Sequence, residues 1–324
     1  MAHFVTPAPL SLTAVPEPAG IKFCDTLDID HDHHILYAGD NWSGGVDVFD
    51  IAKPKPEYIK TISIRGKIYG INVARNVDKL FVGVSGSIVA VIDVTIDSAK
   101  YNTVGAEVDT GGIGHADLLD YDPINKKLYV ANRLDGFMTL IDATTNLIVG
   151  RVEGLGRGLE QPRFNSTDGM VYLTDNKENV LYQIDPVACK LVATFEIADA
   201  CYPNGMAINP VTNQALLACS NSDRPHTVIW DLNTQSIDSI IEESGCGDGA
   251  IYDPTIDRFF FAAAGFVGGP VMGIFGGNPV RFLTNVPTAK GASWVAYDRR
   301  NKLVYAPAVE NGKPALLSFP LPRL

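Results

Sequence analysis

One unit recurs seven times along this chain of 324 residues, and it constrains the fold more than any other feature. The clearest part of the unit is an eight-residue segment that usually begins with Asp or Asn, continues as a polar turn and ends with Tyr or Phe. The seven copies align without gaps at residues 30–37, 74–81, 122–129, 165–172, 209–216, 253–260 and 298–305. Their first positions are separated by 44, 48, 43, 44, 44 and 45 residues. Short apolar or alternating runs surround the copies, which is the pattern of half-buried strands.

This period and the strand-like pattern predict four-stranded propeller blades rather than helical repeats. A blade buries its two faces only against its neighbours, so the units must surround an axis and the ring must close. Only 26 residues follow Asp298, enough for three strands, whereas a spare apolar stretch, Leu10–Val15, precedes the first unit. We therefore predict an all-β single domain over residues 1–324, a seven-bladed β-propeller of four-stranded antiparallel blades. An N-terminal strand at about residues 8–16 would complete the last blade and remove an open sheet edge.

Composition restricts the partners. The net charge is −11 and the chain carries no basic stripe, so nucleic acid is not expected as a partner. There is no run of 18 apolar residues for a membrane span and no secretion signal at the N-terminus, so a cytoplasmic location is expected, with a mature secreted form left open. Five cysteines without a C-x-x-C pair predict free thiols in a reducing compartment. The oligomeric state does not follow from the sequence.

The alignment also shows which residues share one place in successive blades. The position five residues before each segment should lie at the mouth of the central channel, and it holds Asp25, Tyr69, Asp117, Glu160, Asn204, Asp248 and Ser293. Carboxylates brought together in this way raise one another's pKa values unless protons or a cation compensate them. Oxygen ligands of this kind suit Ca²⁺ first, with Mg²⁺ or another divalent ion as alternatives. The predicted metal ligands are Asp25, Asp117, Glu160, Asn204 and Asp248; the alternative is that these side chains cap loops.

A second set lies two residues earlier in each blade and should line the pocket wall. It includes Phe23, Lys67, His115 and Tyr202, a mixture of apolar, cationic and proton-carrying groups that is typical of a substrate pocket. His115 is separated from Asp117 by one residue and is the candidate general base or acid, unless it is a rim histidine bonded to a carbonyl. Tyr202 and Lys67 are candidates for stabilising an oxyanion, and Glu160 for proton transfer.

The predicted substrate-binding residues complete this mouth. They are Phe23, Tyr69, Asn132, Arg163, Asp175 and Trp294. Asn132 and Asp175 follow second strands and could also orient metal ligands. Arg163 could pair with the acids of the ring or bind substrate, and the sequence favours neither.

The units resemble YVTN-type or NHL-type propeller repeats over nearly the whole chain. Two segments, Tyr202–Gly205 and Gly247–Gly249, are similar to parts of the SMP-30/gluconolactonase-like family. The resemblance implies a divalent metal over which a lactone is opened, held by a Glu, an Asn and an Asp. Asn204 and Asp248 match the Asn and the Asp, and Asp25 stands where that family has Glu. That family has six blades; seven-bladed lactonases, lactonising enzymes and lyases share the general fold.

The leading hypothesis is an enzyme that acts on a small polar molecule at the channel mouth. Metal-assisted lactone hydrolysis comes first, with lyase or isomerase chemistry using the same groups. Two alternatives remain: a metal-free cyclase or condensing enzyme in which acids such as Glu160 move protons, and a non-catalytic propeller that serves as a scaffold or ligand-binding protein.

Overall fold

The computed structural model describes residues 11–14, 24–41, 44–310 and 313–323. These residues form seven antiparallel sheets of four strands each, so the predicted seven-bladed β-propeller is confirmed. Helical structure in these ranges is confined to two short 3-10 helices, Arg75–Val77 and Ala198–Ala200. None of the helices found there is long and apolar enough to cross a membrane.

The first six blades each use four consecutive strands, numbered in chain order from the innermost to the outermost. Blade 1 contains β2 (Cys24–Asp30), β3 (Ile35–Asp40), β4 (Gly45–Asp50) and β5 (Glu57–Ser63). Blade 2 contains β6 (Ile68–Ala74), β7 (Lys79–Val84), β8 (Ile88–Asp93) and β9 (Thr103–Asp109). Blade 3 contains β10 (His115–Asp122), β11 (Lys127–Arg133), β12 (Phe137–Asp142) and β13 (Leu147–Val152).

The next three blades follow the same order. Blade 4 contains β14 (Leu159–Phe164), β15 (Val171–Asp175), β16 (Val180–Asp185) and β17 (Lys190–Glu196). Blade 5 contains β18 (Pro203–Asn209), β19 (Gln214–Cys219), β20 (Thr227–Asp231) and β21 (Ser236–Ile241). Blade 6 contains β22 (Ala250–Asp253), β23 (Arg258–Ala263), β24 (Val271–Gly277) and β25 (Val280–Pro287).

The last blade joins the two ends of the chain. It contains β26 (Ala296–Asp298), β27 (Leu303–Glu310), β28 (Lys313–Pro320) and, as its outer strand, β1 (Ser11–Ala14). β1 pairs antiparallel with β28, with Ser11 opposite Ser318 and Ala14 opposite Ala315. The predicted N-terminal strand therefore lies in the last blade, where it covers the edge of β28.

The repeated segment is a turn whose first side chain is tied to its own backbone. Asp122 Oδ1 accepts the backbone N–H groups of Ile124 and Asn125 at 2.8 and 3.1 Å. Asp298 Oδ1 does the same for the two residues that follow Arg299. This local bonding explains why Asp or Asn opens most copies. These turns lie at what we call the lower face; the inner strands begin at the upper face.

Apolar cores between neighbouring blades hold the ring together. The aromatic residue that ends the repeated segment is buried in these cores, with exposed fractions of 0–1% for the aromatic members: Tyr37, Phe81, Tyr129, Tyr172, Phe260 and Tyr305. Phe260, for example, stacks on Tyr297 of the next blade with ring centroids 5.7 Å apart. The Tyr or Phe that ends each aromatic copy of the repeat is therefore the side chain that packs one blade against the next.

The inner strands of blades 1–5 share a β-bulge near the upper face. Their pairing with the second strand shifts between Cys24 and Leu27, Ile68 and Ile71, Ala116 and Leu119, Leu159 and Pro162, and Pro203 and Met206. The residues skipped by these shifts include Asp25, Tyr69, Asp117, Glu160 and Asn204. A bulge inserts an extra residue and redirects its side chain. The five residues therefore occupy one structural position, as the alignment predicts.

Glycines next to the bulges let neighbouring blades approach closely. A Cβ on Gly70 would lie 2.6 Å from the carbonyl oxygen of Asp117, and one on Gly205 would lie 2.1 Å from that of Asp248. Any larger residue would push the next blade's mouth residue away. These two glycines therefore help to set the spacing of the upper mouth.

Candidate functional site at the upper mouth

A cavity of about 360 Å³ opens at the upper face, where the inner strands begin. Seven of the predicted site residues line it: Lys67, Tyr69, His115, Asp117, Glu160, Asp248 and Trp294. The remaining lining residues are Thr26, Leu118 and Arg133. The bulges and the blade connections thus bring together side chains that are far apart in the sequence.

One wall of the cavity is a stack of a cation and two rings. The rings of Tyr69 and His115 are nearly parallel, at 8°, with centroids 3.9 Å apart. Lys67 Nζ lies 4.8 Å from the centroid of Tyr69. On the other side, His115 Nε2 is 3.3 Å from Asp117 Oδ2. Stacking and the carboxylate fix the orientation of the imidazole, so it can exchange a proton with a ligand in the cavity.

Arg133 supplies the charge that the acids of the mouth require. Its guanidinium forms an ion pair with Glu160, and its Nη1 is 3.5 Å from Asp117 Oδ2. The two carboxylate side chains are nearly buried, with exposed fractions of 5% for Glu160 and 8% for Asp117. Arg133 pairs with His115 across β10 and β11, directly beside the bulge. Arg133 therefore enters the site through this cross-strand register, for which the alignment of the repeats carries no signal.

The pKa values show how this cluster shares its charge. Burial and the charge of Asp117 raise the pKa of Glu160 well above its ordinary value; Arg133 opposes this rise, and Asp248 adds to it. Burial works against the charge of Arg133, but Glu160 and Asp117 outweigh it and raise the pKa of Arg133. The guanidinium therefore stays charged, and Glu160 takes up a proton at a higher pH than an ordinary Glu.

The side chain of Asn204 is linked to Glu160 by hydrogen bonds through the amide of Asn176. Asn176 Nδ2 donates to Glu160 Oε1 at 2.6 Å and to Asn204 Oδ1 at 2.8 Å. Asn204 Nδ2 in turn lies 3.3 Å from the carbonyl oxygen of Gly247. The amide chain extends the polar cluster from blade 4 to the connection before blade 6, although Asn204 is not part of the cavity wall.

Trp294 closes the apolar side of the cavity. Its side chain is mostly buried, and its indole Nε1 donates to the carbonyl oxygen of Leu27 at 3.1 Å. A Cβ on Gly249 would lie 2.4 Å from the indole, so this glycine lets the ring fit against the connection before β22. A ligand would therefore meet an indole on one side and the charged cluster on the other.

Two predicted substrate-binding residues support the fold instead. Asn132 is fully buried, and its Nδ2 donates to Thr139 Oγ1 at 2.9 Å. Asp175 is also fully buried, and its Oδ1 accepts the backbone N–H groups of Lys177 and Glu178 at 2.9 and 3.0 Å. Both side chains are engaged in hydrogen bonds that support the fold, and neither lines the mouth cavity.

Three further predicted residues contribute no described side chain to the cavity. Tyr202 has an exposed fraction of 41%. Its backbone hydrogen bonds with Asn179 and Ser220 hold it in the connection between β17 of blade 4 and β18 of blade 5. Phe23 lies outside the described residues. Asp25 lies within β2, but its side chain is not among those described.

Arg163 lies at the opposite end of the channel. It lines a larger cavity of about 610 Å³ at the lower face. Its Nη1 forms an ion pair with Asp120 Oδ1 at 3.1 Å, and its Nε donates to the carbonyl oxygen of Met206 at 3.0 Å. The structure thus places this side chain with an acid of the lower cavity and not with the acids of the mouth.

Asp28 lines the same lower cavity and gives a testable pH dependence. Burial raises its pKa to about 6, although the backbone N–H groups of Val73 and Ile29 oppose the rise. A carboxyl group whose pKa is higher in the folded state stabilises the fold below its unfolded pKa, and this contribution is lost as the pH rises through about 6. A shift of this size corresponds to about 3 kcal/mol.

We therefore expect Asp28→Asn to remove about 2.5 kcal/mol from the change in unfolding free energy between pH 4 and pH 7, because Asp28 of the unfolded chain is already partly ionised at pH 4. Urea denaturation of both proteins across that range measures the difference. Asp238→Asn, at an exposed position of β21, is the matched control and should keep the wild-type slope. Equal slopes in wild type and Asp28→Asn would contradict the assignment.

The cysteines differ from the sequence prediction. Cys201 and Cys219 form a disulfide, whereas Cys189 and Cys246 are free. The prediction of five free thiols is therefore wrong for this pair. The two sulfurs meet because Cys219 ends β19 and Cys201 lies in the connection before β18, which pairs with β19.

The predicted metal requires several donor atoms close to one another at the mouth. Among the described residues, one group of three His, Cys, Asp or Glu side chains has ligand atoms that all lie within 4.8 Å of one another: Cys201, Cys219 and His226. The mouth acids do not form such a group, and Arg133 already compensates Asp117 and Glu160. Among the described side chains, Asp117, Glu160 and Asp248 line the mouth, fewer donors than the six to eight oxygen ligands that a Ca²⁺ cage takes. The mouth metal stays a prediction.

Comparisons with known proteins identify the fold alone. No family model matches this chain, and no curated protein matches it. Among solved structures, it is similar to a chain in the crystal structure of the mitotic checkpoint complex, with 14% identity and a TM-score of 0.77 over 97% of this chain and 91% of that chain. It is also similar to the structure of U3-55K, with 9% identity and a TM-score of 0.76 over 96% of this chain and 98% of that chain. The SMP-30/gluconolactonase-like resemblance gains no support from these matches.

Proposed function

We propose that the upper mouth binds a small polar molecule and transfers a proton on it without a bound metal. The observation that carries this proposal is the convergence of His115, Asp117, Arg133 and Glu160 on one cavity. General acid–base catalysis requires a base and an acid that lie in different environments and face the same cavity. Lactone ring opening or closure, elimination and isomerisation all need such a pair.

Each group has a distinct part in the proposed reaction. His115, oriented by Tyr69 and Asp117, takes a proton from the ligand. Protonated Glu160 donates a proton on the other side of the ligand. When Glu160 carries its proton, it no longer neutralises Arg133, and the guanidinium can bind a carboxylate or a developing oxyanion.

Proton exchange with solvent tests the proposal without knowledge of the natural substrate. A panel of lactones, hydroxy acids and unsaturated dicarboxylic acids is incubated with chelator-treated protein in D₂O, and exchange or turnover is followed by NMR. We expect the wild type to act on at least one compound class, and His115→Asn or Glu160→Gln to lower the rate by about 10²–10⁴-fold. Tyr202→Phe, outside the cavity, is the matched control and should leave the rate unchanged.

Two results would overturn the proposal. One is the absence of both exchange and binding for every compound of the panel with wild-type protein. The other is activity that disappears on chelation and returns with a divalent ion, which would favour the metal-assisted mechanism that the sequence predicted.

A non-catalytic scaffold is the second candidate, and apolar residues on the upper face favour it. Ile113 has an exposed fraction of 95% and the neighbouring Leu134 one of 44%. The solved structures with a similar fold include a chain from a multiprotein complex, the mitotic checkpoint complex. A photo-reactive residue at position 113 should label a partner protein that binds the upper face.

The control places the same photo-reactive residue at Val187, which lies in a turn of the lower face. Equal labelling at both positions would count against a scaffold role for the upper face.

A further inference from the structure

A buried cluster in blade 5 lies apart from the mouth cavity. It consists of Cys201 before β18, Cys219 at the end of β19 and His226 directly before β20. All three residues are buried, and one ligand atom from each lies within 4.8 Å of the other two. We propose that this cluster is a redox-gated zinc site: a cross-link when oxidised, and a metal site of two thiolates and one imidazole when reduced.

His226 is the residue that points to a ligand. Its side chain is fully buried, and its Nδ1 lies 2.7 Å from the carbonyl oxygen of Arg224. A carbonyl oxygen only accepts, so in the neutral ring Nδ1 carries the proton and Nε2 has the free electron pair. Nε2 is buried without a hydrogen-bond partner among the described residues.

This bonding is the usual arrangement of a histidine that binds a metal. Such a histidine donates one ring N–H to a backbone carbonyl or carboxylate, which fixes the tautomer and turns the other nitrogen toward the metal. A buried acceptor without a partner also calls for an explanation in a native protein. A zinc ion next to Nε2 in the reduced state supplies that partner.

The redox step is balanced by an ordinary dithiol. A dithiol reductant gives two electrons and two protons to the Cys201–Cys219 disulfide, which becomes two thiols, while the reductant becomes a disulfide. Zinc then binds the two sulfurs as thiolates and releases their two protons. In the reverse step a disulfide oxidant takes two electrons from the two thiolates and, with two protons, becomes a dithiol. The Cys201–Cys219 cross-link returns and the ion leaves, because a disulfide sulfur no longer provides a thiolate.

The donor set selects zinc among the common divalent ions. Two thiolates and one imidazole suit a borderline-soft ion, whereas Ca²⁺ and Mg²⁺ prefer oxygen. Zinc bonds of about 2.3 Å to sulfur and 2.0–2.1 Å to nitrogen place ligand atoms roughly 3.5–3.8 Å apart, so small movements from the present positions are sufficient. Water can complete the tetrahedron.

Metal titration of the full chain in its two redox states tests the inference. Oxidised and anaerobically reduced protein are each titrated with Zn²⁺, and Co²⁺ serves as a spectroscopic substitute. We expect the reduced wild type to bind one equivalent of zinc and, with Co²⁺, to show the visible bands of a tetrahedral site and a thiolate charge-transfer band. The oxidised protein should show neither.

Variants separate the site from adventitious binding. His226→Gln keeps the disulfide and should therefore fold, but it should weaken zinc binding by at least about 100-fold, more than the loss of an outer hydrogen-bond partner causes. Cys189→Ser removes a free thiol of blade 4 that lies outside the cluster and is the matched control, with unchanged binding. The inference fails if the reduced wild type takes up no zinc, or if His226→Gln binds zinc and shows the cobalt spectrum as the wild type does.

Discussion

Phe260→Ala is expected to lower the free energy of unfolding by about 3–5 kcal/mol, because it leaves a cavity in the core between blades 6 and 7. Phe260 is fully buried and stacks on Tyr297. Its core is continuous with Ala315 and Leu317 of β28, the strand that pairs with β1. The variant therefore weakens both an interblade contact and the blade that closes the ring.

Urea denaturation followed by tryptophan fluorescence and circular dichroism measures this change. Ile113→Ala, which truncates an almost fully exposed side chain, is the control and should remain within about 0.5 kcal/mol of wild type. A loss below about 1 kcal/mol for Phe260→Ala would mean that the interblade core is not packed as described.

Arg133→Met should give the second largest loss, because it leaves Glu160 and Asp117 without their guanidinium. Removal of one partner from a buried ion pair costs about 3–5 kcal/mol; we expect about 2–4 kcal/mol here, because water reaches part of Arg133. Glu160 should then take up a proton at still higher pH, and stability should fall as the pH rises and this proton is lost.

A double variant distinguishes charge from packing. Arg133→Met/Glu160→Gln removes the uncompensated charge and should recover at least about 1 kcal/mol of the loss. Arg224→Met serves as the control, because the ion pairs of Arg224 with Asp199 and Glu242 lie in solvent and their removal should change little. If the double variant were no more stable than Arg133→Met, the charge argument for the mouth would be wrong.

The fold was predictable because the residues that form the turns and the interblade cores recur at regular intervals in the sequence. Asp122 and its equivalents bond to their own turns, and Tyr129 and its equivalents pack between blades, so both leave a regular mark on the sequence. The position of the mouth residues was predictable for the same reason. Asp117 and Glu160 occupy equivalent bulges, and equivalence in an aligned repeat becomes proximity in a closed ring.

Other parts of the site depend on contacts that no repeat encodes. Arg133 belongs to the cavity because of its register opposite His115, and Arg163 leaves it because the channel has two ends. The disulfide joins a connection to the end of a strand, and cysteine spacing alone does not define such a pair. Long side chains and cross-strand partners therefore mark the limit of prediction from one sequence.

The shared bulge has a consequence for how such a ring can change over time. The described side chains at the bulges are linked from blade to blade: Tyr69 stacks on His115, Arg133 bridges Asp117 and Glu160, and Asn176 joins Glu160 to Asn204. Substitutions at these sites are therefore coupled to one another and, through the buried charges, to stability. A descendant of this chain that acquires a new specificity would therefore have to change residues of adjacent blades together, while the blade cores preserve its architecture.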